Sequence, residues 1–232
     1  MALIFEIFRD GQRQTEFAPV GAIAMGPESV PIPGDVRFID GQLIVDRIDD
    51  NAAGVSLLWD LGIIGSYMLE TTRLQVREAP YNLNVELARS RLMRIVQKQE
   101  DWNLFDFPRA EKFQLQFKES QSLFADALGI LDQPEKASVL ADQSLQISVP
   151  LAEELAEFHA DLLLHRRRQA NGFARHIFGC RVDSTVQNSR YKDLLVEHFD
   201  YAIAPMGWKQ LQPEEDTFNT APLDDWVEML SR

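Results

Sequence analysis

The strongest constraint on the fold lies in the last third of the chain, where two short apolar runs alternate with two amphipathic helical patterns. Residues Ile177 to Val182 form the first apolar run, and Tyr191, Leu194, Leu195 and His198 then recur at helical spacing. Residues Phe199 to Met206 form the second run, and Leu223, Trp226, Val227 and Leu230 recur at helical spacing after it. Two strands joined by a helix cannot pair antiparallel through a tight turn. The order strand, helix, strand, helix therefore predicts a parallel α/β arrangement.

The segment also carries a set of single-residue motifs. They read Tyr191, Leu194-Leu195, Phe199-Asp200, Trp208, Gln212-Pro213-Glu214-Glu215, Phe218 and Leu223-Asp224. In this order and spacing they resemble the opening of the catalytic barrel of glycoside hydrolase family 10, the endo-xylanase family. Upstream, residues Tyr81 to Pro108 are similar to the helical lead-in of large bacterial proteins of that kind, so the resemblance covers residues 81–232. It implies a retaining hydrolase of β-linked plant polysaccharide. It also implies that the two catalytic glutamates sit on the fourth and seventh barrel strands, which this sequence does not contain. The three sugar-binding positions at the end of the family's second strand fall on Ile203, Ala204 and Gly207, where the usual Glu, Asn and Lys are absent. Gln212 and Asp216 also depart from the family pattern.

A closed (β/α)₈ barrel takes about 250 residues, and only two β/α units fit here. The expected fold class is therefore α+β and multidomain, with three parts. Residues 1–79 are read as a β-sandwich like a carbohydrate-binding module, 80–171 as a helical bundle or linker, and 172–232 as the beginning of a barrel.

The first part owes its β reading to alternation at Leu3, Phe5 and Ile7 and to turn signals at Asp10-Gly11 and Asp40-Gly41. In the second part, Val85, Ala88, Leu92, Ile95 and Val96 form one apolar stripe, with Arg89, Arg91, Arg94 and Lys98 read as its solvated face. Phe113, Phe117, Phe124, Leu128 and Leu131 form a second stripe. Pro134 marks the start of a third helix, and Pro150 is expected to interrupt it.

Candidate ligand contacts come from two places. Asp183 and Trp208 follow the ends of the barrel-like strands, where (β/α)₈ enzymes place their active sites. Lys209 and Gln210 stand beside Trp208 as hydroxyl donors. In the β module, Trp59 and Tyr67 are the aromatic rings that could stack on a sugar, with core packing as the other reading of both.

No residue is assigned a catalytic role. No cofactor and no metal is expected, because the four histidines are scattered and Cys180 has no cysteine partner. Cys180 reads as a buried structural thiol. A net charge of −13 argues against nucleic acid and against anionic membranes, since both are bound through clustered Lys and Arg. The expected partners are a carbohydrate ligand and the rest of the barrel. The alternating start MALIFEIF lacks the pattern of a signal peptide, which points to the cytoplasm. The alternative to an enzyme fragment is a non-catalytic carbohydrate-binding or interaction protein.

Overall fold

The computed structural model describes residues 2–47, 51–105, 110–170, 172, 178–183, 186 and 188–230, without the side chains of residues 210 and 222. It is a mixed α+β protein in two compact units, Met1–Asp161 and Leu162–Arg232.

In the first unit a four-stranded sheet has the order β5-β6-β1-β9, from Gly34–Ile39, Gln42–Arg47, Ala2–Glu6 and Tyr81–Asn82. All its pairs are antiparallel except β1 with β9. A three-stranded antiparallel sheet has the order β4-β7-β8, from Ile23–Met25, Gly54–Asp60 and Ser66–Glu70. A small hairpin joins β2 (Phe8–Arg9) to β3 (Gln12–Arg13).

Both Asp-Gly signals become two-residue hairpin turns. Asp40 and Gly41 have φ of 51° and 76°, and Asp10 and Gly11 have 49° and 71°. Positive φ at both central positions matches the right-handed twist of the flanking strands, which is why Asp-Gly is favoured there.

Burial alternates as the pleat requires. Leu3, Phe5, Leu43 and Val45 face inward from one sheet, and Val55, Leu57 and Trp59 from the other. The same core takes in Leu83, Val85, Leu87 and Ala88 of α1 (Leu83–Trp102) and Ala137, Ala141, Leu145 and Val149 of α3 (Pro134–Gln169). The boundary drawn at 79/80 from the sequence thus has continuous core on both sides of it. Strands alone could not bury both their faces; the helices supply the cover.

Helix α2 (Ala110–Gly129) turns back onto α3 through a four-residue connection. Ser120 and Ser144 join the two helices where they meet. Each hydroxyl donates to the other residue's carbonyl at 2.9 Å, and the two hydroxyls are themselves 2.9 Å apart. The apolar stripe of α2 buries Phe113 and Phe117, whereas Leu131 lies past the helix end and is exposed.

Two expectations fail in this region. Pro150 does not interrupt its helix: α3 runs unbroken from Pro134 to Gln169. A helix-interior proline costs about 3 kcal/mol, but buried Leu145, Val149, Leu151 and Leu155 flank it and offset that cost. Nor are the cations of α1 uniformly solvated. The Arg91 side chain is only 15% exposed, and burial holds its guanidinium below the usual arginine value, opposed by Glu153.

A buried polar joint ties β2, α1 and α3 together. Asn84, fully buried, accepts the Phe8 N–H at 3.2 Å and donates to the Phe8 carbonyl at 3.0 Å. Its amide also donates to both oxygens of Asp142 at 2.9 Å. Burial raises the Asp142 carboxyl from 3.8 to about 6, against the opposing effects of the Asn84 hydrogen bond and the Arg9 charge.

A raised carboxyl is a penalty that is fully present above the folded value and relieved as pH falls towards the unfolded one. Wild-type stability should therefore gain roughly 1.4 kcal/mol from Asp142 between pH 8 and pH 5. Asp142→Asn removes the titration while keeping an acceptor for Asn84. Urea unfolding of both proteins at the two pH values should show that difference in slope. Parallel pH profiles would contradict the assignment.

Candidate functional site

The second unit is built around a parallel pair, β10 (Gly179–Arg181) and β11 (Tyr201–Ile203). Gly179 pairs with Tyr201, Cys180 with Ala202, and Arg181 with Ile203. Helix α4 (Ser189–His198) connects them, and the Asn188 side chain caps it by accepting the Arg190 N–H at 2.8 Å. A short helix α5 (Trp208–Leu211) follows, then α6 (Ala221–Leu230). The predicted parallel strand-helix-strand-helix order is present. Among the described residues no barrel is closed.

One face of the pair is covered. Val182, Leu195 and Trp226 are buried together, with Cys180, Tyr191, Ala202 and Ala204 packed on them. Tyr191 meets Trp226 edge-on at 6.2 Å, and the Lys192 ammonium lies 5.1 Å from the Trp226 ring. Cys180 is half-buried against this cluster. The opposite face carries Tyr201 and Ile203, both exposed.

On that face the Tyr201 ring lies against the backbone of Gly179. A methyl group at residue 179 would come within 2.1 Å of the ring. An aromatic ring beside a cross-strand glycine restores apolar cover that the glycine lacks.

The site residues proposed from sequence are placed as follows. Asp183 stands just past β10, its backbone N–H donating to the Tyr191 hydroxyl at 2.9 Å. Trp208 begins α5, beyond the end of β11, and is 70% exposed. Because the strands are parallel, Asp183 and Trp208 both follow the carboxyl end of the pair. Lys209 is exposed beside Trp208, and the Gln210 side chain lies outside the described residues.

Phe218, 65% exposed, stands edge-on to Trp208 at 6.5 Å and 90°. The loop bearing it is fixed by the Asn219 N–H, which donates to the Leu211 carbonyl at 2.7 Å. Phe218 belongs to the motif set and is not among the site residues that the sequence suggests. Nothing in its local spacing showed that the loop would return it to Trp208.

In the first unit Trp59 is not available as a sugar platform. It is completely buried, beside Phe17 at 6.1 Å and under the Arg9 guanidinium at 4.1 Å. Strand alternation decides this: Leu57 and Trp59 share the inward face of β7. Tyr67, opposite Trp59 on β8, is half-buried and packs on the same core.

No family, curated protein or solved structure matches the chain. Among the described residues, no group of three His, Cys, Asp or Glu side chains is placed to hold a metal ion. No helix among them is long and apolar enough to cross a membrane.

Chemically, the second unit offers an exposed aromatic pair with a lysine beside it. An indole face of this kind is suited to the C–H face of a sugar ring, with the ammonium as a hydroxyl donor. Glu214 and Glu215 are exposed in the loop after α5. Adjacent residues of this kind do not define the ~5 to 10 Å facing geometry that glycosidic cleavage needs.

Gly179→Ala should force Tyr201 off its neighbour and destabilise the second unit by about 1–3 kcal/mol, the usual cost of overpacking. Near-ultraviolet circular dichroism and thermal unfolding would register it. An unchanged midpoint and an unchanged aromatic spectrum would show that the ring does not rest on the glycine.

Proposed function

We propose that this chain is the carbohydrate-recognising front part of a family 10-like glycoside hydrolase that acts on β-linked, xylan-like polysaccharide. In this reading the second unit is the beginning of a (β/α) barrel, and the sheets of the first unit are an accessory β-sandwich. The reaction would be retaining, with both catalytic glutamates supplied by strands outside this sequence. The observation that carries the reading is the exposed Trp208–Phe218 pair beyond the carboxyl end of a parallel strand pair. That edge is where barrel enzymes bind their substrates, because its loops vary over a rigid sheet.

Two of the motif residues, Tyr191 and Leu195, have structural roles in the second unit. Tyr191 ties the loop after β10 to α4, and Leu195 anchors α4 to the sheet. The absence of the usual Glu, Asn and Lys at Ile203, Ala204 and Gly207 narrows the proposal to stacking rather than a full set of hydroxyl contacts. A free-standing carbohydrate-binding protein is the second reading, and the same aromatic pair favours it.

Electrophoresis in a native gel containing soluble xylan tests the proposal. The chain should be retarded, Trp208→Ala should migrate as in a sugar-free gel, and no reducing ends should appear. Unretarded wild-type protein would overturn sugar recognition. Turnover by a pure sample would overturn the absence of catalytic residues.

A further inference from the structure

A recess of about 270 Å³ opens between α1 and α3 in the first unit. It exists because α3 presents Ala152 and Ala156, one turn apart, opposite the larger side chains of α1. Arg91, Arg94, Lys98 and Trp102 line the α1 side, a spacing that puts them on one face of the helix. Trp102 is held in place by His159, stacked on it at 4.3 Å and 10°. On the other side of Arg94 and Lys98 lies a second hollow of about 390 Å³. Its wall carries Ser29, Ser90, Gln97 and Arg73, together with the carboxylate of Glu70.

The charges in this region do not balance. Arg91 donates to Glu153 at 3.4 Å and to the Val149 carbonyl at 3.1 Å. Its Nε is buried with no partner among the described residues. Arg94 and Arg73 share one carboxylate, Glu70, at 2.9 and 3.4 Å. Lys98 is paired with Asp101 at 2.8 Å across a solvent-exposed gap, a kind of pair that contributes little and exchanges readily. In these pairs among the described residues, four cations share three carboxylates, in a chain whose net charge is −13.

We propose that the recess between α1 and α3 binds a sugar acid, with the carboxylate of a uronate on Arg94 and Lys98. Charge-assisted bonds to an ammonium and a guanidinium are the strong ones, and the carboxylate completes the local charge balance. The apolar ring face falls to Ile95 and Trp102 in the same recess. The choice of a sugar rather than another carboxylate rests on the carbohydrate reading above; the anion site itself does not.

Calorimetric titration of the full chain with D-glucuronate at low ionic strength tests this, with acetate and D-xylose as the comparison ligands. Glucuronate should bind saturably, and added salt should weaken it. The double variant Arg94→Gln, Lys98→Gln should bind at least about tenfold more weakly. Ala156→Leu, which fills the recess from an exposed position, should abolish binding with the circular dichroism unchanged. No saturable binding, or binding untouched by Ala156→Leu, would overturn the site. Acetate binding as tightly as glucuronate would overturn the sugar assignment. Retardation by neutral xylan separates this from the reading above: it should survive in the double variant and fail in Trp208→Ala.

Discussion

The amide of Asn84 holds the first unit in register. It brackets both backbone groups of Phe8, which sits where β1 gives way to the β2–β3 hairpin, and so ties the start of that hairpin to α1. Buried backbone groups left unpaired cost about as much as a lost hydrogen bond each. By reaching on to Asp142, the same side chain fixes α1 against α3. The apolar core around Phe5, Leu83 and Leu145 could pack in several near-equivalent ways; the directional bonds of one amide select among them. A polar group in a core costs desolvation and supplies uniqueness when fully satisfied.

The sequence made the local structure legible wherever geometry follows from a single residue or a period. Asp40-Gly41 and Asp10-Gly11 encode their hairpins because few other pairs tolerate positive φ twice in succession. The alternation of apolar runs and helical stripes encoded the parallel pair in the second unit. What could not be read was depth. Pro150 stays inside a helix because residues on either side of it are buried, a tertiary fact. Arg91 looks like its neighbours on the helix surface until α3 arrives beside it. Trp59 was open to two readings because an inward and an outward ring have the same letter, and only the partner sheet distinguishes them.

The candidate site shows the same division. The strand ends that place Asp183 and Trp208 were predictable from the order of elements. The pairing of Trp208 with Phe218 was not, because it depends on a hydrogen bond between Asn219 and Leu211 that closes the loop. A parallel pair with one bare apolar face, bearing Tyr201 and Ile203, is unusual, since parallel sheets are ordinarily covered on both sides.

The interlocked hydroxyls of Ser120 and Ser144 carry a consequence for how the chain can vary. Each oxygen serves the other helix's main chain, so neither side chain has a function at any other height along its partner. Sliding one helix by a turn would strand both groups at once in an apolar seam. Enlarging either residue would push the two rods apart at the point where they meet. The two positions therefore behave as a single unit of heredity, free to change together and constrained when alone.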